Sequence, residues 1–294
     1  MKTKEALSVY SRISRTQLRQ LLTAALEEDM GSGDLTTGLL VPPDLHADAY
    51  LLIKQEGVLA GTEVFSELFA LLDDSMQTRV LLHDGARVAP GDIPIRMSGL
   101  AQYILTGERT SLNFVQKMSG VATATSRLTE IASRYGVKVN HIRKTTPLLR
   151  ALEVYAVRVG GGSYNRFGLF DGVLIKDNHL EVTRKLGMSL QQVVARCREE
   201  APLTVKIGLE VKELSDLPDA IDAAPDYIAL DNMTLEEIKE AVKVTDGRIP
   251  IDVTGGVNAS NLEAIAATGI QMVGVGGITH SAPSLVMSLE VEFR

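Results

Sequence analysis

The run Gly172-Val-Leu-Ile-Lys-Asp-Asn-His179 sets the texture of the C-terminal half of the chain. Its aliphatic residues suit a short buried strand, and the strand breaks off on a cation followed by three polar groups. The same punctuation recurs on both sides. Residues 137–142 run into Arg143-Lys144-Thr145-Thr146, residues 204–209 into Glu210, and residues 227–230 into Asp231-Asn232. Residues 249–253 run into Thr254-Gly255-Gly256, and residues 272–275 into Gly276-Gly277. Between these strands, residues 148–159, 189–200, 214–223, 235–244 and 259–267 carry helical spacing. Such a βαβα rhythm predicts parallel strands covered by helices. Six strands fall short of a complete eight-stranded barrel, and a doubly wound open sheet is the structural alternative. Both architectures build their ligand site at the C-terminal ends of the strands.

Polarity at a strand end is weak evidence taken singly, because every βα loop is polar and helix starts favour Asp, Asn, Ser and Thr. Six strand ends together, four of them carrying Arg, Lys, Glu or Asp, exceed what loops require. Arg143, Lys144, Arg166 and Lys176 supply cations suited to carboxylates or phosphates. The two Gly-Gly turns let backbone N–H groups approach a phosphate closely. Glu210 and Asp231 are anions among these cations. They suit a water-bridged Mg²⁺ or positive charge developing on a sugar carbon. The sum describes a site for an acidic small molecule and a sugar phosphate.

The N-terminal half has a different texture. Residues 16–28 read as a helix, residues 29–37 as a loop, residues 46–53 as a half-buried strand and residues 62–72 as a helix. Residues 79–95 read as short strands broken at Asp84-Gly85 and Pro90-Gly91. A long helical region follows over 103–135, with an interruption or hinge expected near Ser119-Gly120.

Composition narrows the class. The 294 residues are 45% hydrophobic and 23% charged, an ordinary core-forming balance, and the net charge of −7 disfavours nucleic acid as a partner. One cysteine, Cys197, excludes an intrachain disulfide and suits a reducing, cytoplasmic setting. No stretch approaches the roughly 18 consecutive apolar residues of a membrane span, and residues 1–15 are polar with no secretory signal pattern. Three look-alike motifs are set aside. Leu71-Leu72-Asp73-Asp74 sits on a helical pattern, and Gly160-Gly161-Gly162 follows a helix rather than a strand. His83, His141 and Cys197 lack zinc-ligand spacing.

An ordered set of motifs resembles the quinolinate phosphoribosyltransferase (nicotinate-nucleotide pyrophosphorylase) family from about residue 20 onward. The set comprises Glu28-Asp-Met-Gly-Ser-Gly-Asp-Leu-Thr-Thr37, Gly107-Glu-Arg-Thr-Ser-Leu-Asn-Phe114, Ser119-Gly-Val-Ala-Thr123 and Arg143-Lys-Thr-Thr-Pro147. It continues with Tyr155-Ala-Val-Arg158, Gly160-Gly-Gly162, Gly172–His179, Asp231-Asn232 and Thr279-His-Ser281. The resemblance implies an N-terminal α/β sandwich over residues 1–116, with 283–294 as a candidate addition. It implies an incomplete, open α/β barrel of about six parallel strands over 117–282. The implied reaction converts quinolinate and phosphoribosyl pyrophosphate (PRPP), with Mg²⁺, to nicotinate mononucleotide, pyrophosphate and CO₂.

By the same resemblance, Arg109, Arg143, Lys144, Asn165, Arg166 and Lys176 bind the carboxylates and phosphates. Lys144, Glu210 and Asp231 form the catalytic set, with Glu210 and Asp231 beside the metal, directly or through water. Thr254, Gly255, Gly256, Gly276, Gly277 and His280 cradle the 5′-phosphate. A homodimer or an oligomer of dimers is implied, with Arg109 donated across the subunit boundary. The sequence departs from the family pattern in three places. Tyr164-Asn165-Arg166 replaces the usual Asn-His-Arg, His141-Ile142 replaces Asp-Thr, and Asp252-Val-Thr-Gly-Gly256 replaces Glu-Ala-Ser-Gly-Gly. A neutral amide therefore stands where an imidazole is usual. Three readings stay open: a quinolinate enzyme, a paralogue for another heteroaromatic acid or of the molybdenum-transport-associated branch, and a non-catalytic protein on the same fold.

Overall fold

The computed structural model describes residues 8–293. The polar N-terminal stretch read above lies partly outside them, in residues 1–7. In chain order, α1 (Arg15–Met30) and α2 (Leu35–Leu40) precede β1 (His46–Ile53), β2 (Gly57–Val58), α3 (Thr62–Leu72) and β3 (Gln77–Val80). Next come β4 (Arg87–Val88), β5 (Ile95–Leu100), α4 (Ala101–Ala132), β6 (Lys138–His141), α5 (Arg150–Val159) and β7 (Ser163–Tyr164). The chain continues through β8 (Val173–Ile175), α6 (Asp177–Lys185), α7 (Leu190–Glu200), β9 (Ile207–Val211), α8 (Leu217–Asp222) and β10 (Tyr227–Asp231). It closes with α9 (Leu235–Thr245), β11 (Ile251–Thr254), α10 (Leu262–Ala266), β12 (Met272–Gly274), α11 (Gly277–His280) and β13 (Met287–Phe293).

Several helix starts are written into the sequence. Ser14, Ser189 and Thr234 each accept the N–H of the residue three positions on, and Gln17, Gln192 and Glu237 reach back to the cap. Reciprocal bonds of this kind satisfy two N–H groups that have no partner within the helix. Helix α6 starts differently, with the His179 ring nitrogen accepting the Lys176 N–H at 3.0 Å. The helix was not read from the sequence, where Lys176-Asp177-Asn178-His179 reads as a loop. Asp34 likewise caps α2 through the Thr37 N–H, within a stretch expected to be loop.

The described chain forms two compact units. The first holds the chain up to Ser126, Thr145–Gly161 and the chain from Thr279 onward. Its antiparallel sheet runs β13-β1-β5-β3, so the strand after the barrel forms one edge of the N-terminal sheet. Helix α5 belongs to this unit, although the sequence reading groups it with the barrel. The Tyr155 hydroxyl donates to Asp84 at 2.6 Å, and a Cβ on Gly160 would lie 2.4 Å from the Ala122 carbonyl oxygen.

The second unit holds Arg127–Lys144 and Gly162–Ile278. Its seven strands pair in the order β7-β6-β12-β11-β10-β9-β8, and every pairing is parallel. Consecutive strands are neighbours except at β7 and β8, which are the two edges. The first strand, β6, instead pairs with the last, β12. That order is an open barrel rather than a doubly wound sheet. The strand beyond the six expected is β7, whose two residues are too short to show a period.

Helix α4 corrects one expectation. It is continuous through Ser119-Gly120, with no hinge there. Gly120 instead permits close packing, since a Cβ would fall 2.1 Å from the Pro283 carbonyl oxygen. Gly38 in α2 has open space around its missing Cβ. Gly120→Ala is therefore expected to cost about 1–3 kcal/mol through overpacking, while Gly38→Ala is neutral or stabilising by under about 1 kcal/mol. Denaturant midpoints of the two variants check this, and equal midpoints would refute the packing role of Gly120.

Candidate active site

Parallel pairing puts the C-terminal ends of the barrel strands on one rim. There, a cavity of about 340 Å³ is lined by Arg143 and Lys144 after β6, Asn165 and Arg166 after β7, and Lys176 after β8. Glu210 of β9, Asp231 at the end of β10, and Thr254, Gly255 and Gly256 of the β11 turn complete the set. Residues drawn from 143 to 256 thus meet in one unit, as the sequence reading expected for these positions. Gly276 and Gly277 follow β12 and open α11, and they do not line this cavity. Arg109 is exposed on α4 and, like His280, belongs to the first unit.

The local geometry fixes these groups tightly. Arg143 adopts a left-handed backbone, φ 60°, and its N–H donates to His141 Nδ1 at 3.1 Å. Asn232 is also left-handed, φ 58°, and its N–H donates to the Thr254 carbonyl at 3.0 Å. Left-handed residues other than glycine carry strain and cluster at functional turns. Asp231 is held on both oxygens, by the Thr254 hydroxyl at 3.1 Å and by Asn232 Nδ2 at 3.0 Å. Gly255 has no substitute there, because a Cβ would sit 2.3 Å from Asn232 Oδ1. Gly256 is left-handed as well, φ +66°.

Charges pair along the rim. Lys176 donates to the buried Glu210 carboxylate, which joins the ends of β8 and β9. One residue beyond Lys176, Asp177 pairs with Lys212 at 2.6 Å, and that bond holds the Asp177 carboxyl below its usual range. Arg166 donates to the Gly172 carbonyl at 2.9 Å, which fastens the loop between the two barrel edges. No group of three or more His, Cys, Asp or Glu residues among those described converges to hold a metal. Glu210 and Asp231 are two carboxylates, a donor set that fits a largely hydrated Mg²⁺.

Two residues of the site are not among the expected site residues, although Asp252 is noted above as a departure from the family pattern. Asp252 lies wholly buried on β11 and lines the cavity, where its Oδ2 accepts from Asn165 Nδ2 at 3.0 Å. The Tyr227 hydroxyl donates to Asn165 Oδ1 at 2.9 Å. A charge inside the apolar run 249–253 was a visible signal for Asp252. Nothing in the local pattern marked Tyr227.

Burial pushes the Asp252 carboxyl up to about 6, although the Asn165 bond opposes the rise. The folded carboxyl therefore keeps its proton to higher pH than the unfolded one, which releases it near 4. The cost of burying the charge is absent below about pH 4 and complete above about pH 6, where it reaches about 3 kcal/mol. Asp252→Asn is thus expected to gain stability relative to the natural chain as pH rises from 4 to 7. Melting temperatures of both proteins across that range test this, and a pH-independent difference would refute it.

Comparison with known proteins agrees with the architecture. Residues 34–119 match the family model for the quinolinate phosphoribosyl transferase N-terminal domain, and residues 121–290 match the model for its C-terminal domain. A probable nicotinate-nucleotide pyrophosphorylase [carboxylating] of Bacillus subtilis is 36% identical, over 95% of each chain. Its namesake in Methanocaldococcus jannaschii is 35% identical, over 92% of this chain and 96% of the relative. The crystal structure of NadC from Streptococcus pyogenes superposes with a TM-score of 0.90 at 35% identity, covering 99% of this chain and 100% of that one. Human nicotinic acid phosphoribosyltransferase, at 14% identity and a TM-score of 0.60, shares the fold. Matched across both domain models and nearly end to end with these relatives, the chain belongs to the quinolinate phosphoribosyl transferase family.

Proposed function

We infer that the protein transfers the phosphoribosyl group of PRPP to the ring nitrogen of quinolinate. Pyrophosphate leaves C1 of the ribose and the nitrogen takes its place; the C2 carboxylate departs as CO₂, and the electron pair left on C2 takes up a proton to give nicotinate mononucleotide for NAD synthesis. The observation that carries this reading is the meeting of four cations, Arg143, Lys144, Arg166 and Lys176, with the carboxylates of Glu210, Asp231 and Asp252 in one cavity at the barrel rim. Arg143, Lys144 and Arg166 suit the two carboxylates of the acid, since guanidinium forks grip them in pairs. Lys176, already bonded to Glu210, stands beside the reacting ribose in this reading. Glu210 and Asp231 face the positive charge that grows on C1 as the leaving group departs, and fixed carboxylates there lower the barrier. The Thr254-Gly255-Gly256 turn receives the 5′-phosphate, together with Gly276 and Gly277.

Glu210 and Asp231 would hold Mg²⁺ through water, and the ion would supply positive charge to the departing diphosphate. We further propose a homodimer in which Arg109 completes the partner's site. Leu35, Leu39 and Leu40 support this, because they leave an apolar face of α2 exposed. Helix α2 is tied to α4 through Asp34 and Thr106, one turn before Arg109. The single cysteine, Cys197, suits the cytoplasm as the setting.

The test is pyrophosphate release with PRPP and Mg²⁺, comparing quinolinate with nicotinate and other aromatic acids. Quinolinate-selective turnover to nicotinate mononucleotide is expected. Turnover of another acid alone would move the protein to a paralogous reaction, and no turnover with any acid would remove the enzyme reading. A metal chelator should abolish turnover without moving the melting temperature of the substrate-free protein; a large fall in melting temperature would indicate a resident metal. Lys176→Ala should lower kcat by about 10²-fold or more. Mixing Lys176→Ala chains with Arg109→Ala chains should restore part of the activity, and no recovery in confirmed hybrids would rule out the shared site.

A further inference from the structure

We propose that Gly208, Tyr227 and Asp252 form a positioning device that fixes the side-chain amide of Asn165 as a neutral hydrogen-bond donor toward the acid substrate. The device begins with a vacancy. Gly208 on β9 stands in register with Tyr227 on β10. The tyrosine ring lies over the glycine so closely that a Cβ there would meet Tyr227 Cζ at 2.1 Å and its hydroxyl oxygen at 2.4 Å. Any side chain at 208 would therefore displace the ring. With glycine there, the ring has room to bring its hydroxyl to Asn165, the residue that follows β7.

The chemistry of the two contacts decides the orientation of the amide. A tyrosine hydroxyl donates to an amide oxygen, and a carboxylate accepts from an amide nitrogen. Asn165 Oδ1 takes the Tyr227 hydroxyl at 2.9 Å, and Nδ2 gives one hydrogen to Asp252 at 3.0 Å. Flipping the amide would set Oδ1 against the Asp252 oxygen and Nδ2 against the hydroxyl. One orientation is thereby selected. Of the two Nδ2 hydrogens one is committed, and the other remains for the cavity that Asn165 lines. The substrate meets a donor without charge at this position, and the anionic part of the acid is left to the neighbouring Arg143, Lys144 and Arg166. Tyr227 does not line the cavity. It acts through Asn165, so its role is positioning and not catalysis.

This inference rests on the quinolinate reading above. Tyr227→Phe removes the hydroxyl and keeps the ring over Gly208, so the packing survives. It is expected to raise the KM for quinolinate about five- to ten-fold, with kcat and the KM for PRPP changed by less than about two-fold. In an Asn165→Leu background, the same substitution should have no further effect on the KM for quinolinate, because its target is gone. Equal effects of Tyr227→Phe in both backgrounds would overturn the device, as would a fall in kcat with no change in the KM for quinolinate. A natural chain that does not turn over quinolinate would overturn the functional reading itself, which distinguishes that failure from a failure of the positioning role.

Discussion

The pairing of β6 with β12 is the contact on which the site depends. Met272, Val273 and Gly274 lie in register with Lys138, Val139 and Asn140, and the Val275 N–H donates to the Asn140 carbonyl at 2.8 Å. The bond spans more than a hundred residues of chain. Without it, the loop bearing Arg143 and Lys144 would lie at the end of a separate strand, far from the Thr254-Gly256 turn. Gly274 keeps the junction compact, since a Cβ would fall 2.5 Å from an Ile142 methyl and 2.7 Å from a Thr254 methyl. Closing so long a loop costs conformational entropy that only the assembled barrel returns.

A second consequence follows from the same closure. The barrel interior contains a polar network as well as aliphatic side chains. Asp252 and Tyr227 are buried there, and their mutual partner is Asn165. The Oδ1 atom of Asp252 has no hydrogen-bond partner. A buried carboxylate satisfied on only one oxygen destabilises the fold. The site accepts this cost in return for an amide held in one orientation. Preorganised donors of that kind act on a ligand without having to reorganise when it binds.

Much of this was legible in the sequence because parallel strands advertise themselves. A short aliphatic run followed by charge located the ends of β6, β8, β9 and β10, and one followed by Thr-Gly-Gly located the end of β11, and with them most of the cavity. Other features were illegible for physical reasons. Two residues of β7 carry no periodicity, and the polar first turn of α6 mimics a loop until the His179 ring is seen to accept the Lys176 N–H. Ser119-Gly120 looked like a break because glycine weakens a helix, yet Gly120 is there for the Pro283 carbonyl. Tyr227 was beyond reach, because its partner lies 62 positions away and its access depends on a missing side chain at 208.

The place of β13 bears on how the molecule is made. This strand pairs with β1 along seven positions from Ala47 to Ile53, yet it is translated after the whole barrel. The sheet of the first unit therefore stands with β1 unpaired along one side while the intervening residues are still being synthesised. An emerging chain in that state offers a strand edge to its neighbours on the same messenger. The barrel, whose strands are all present once β12 has left the ribosome, can mature first. Vectorial synthesis thus runs against the order of the domains, and the unit that begins the chain is the last to be finished.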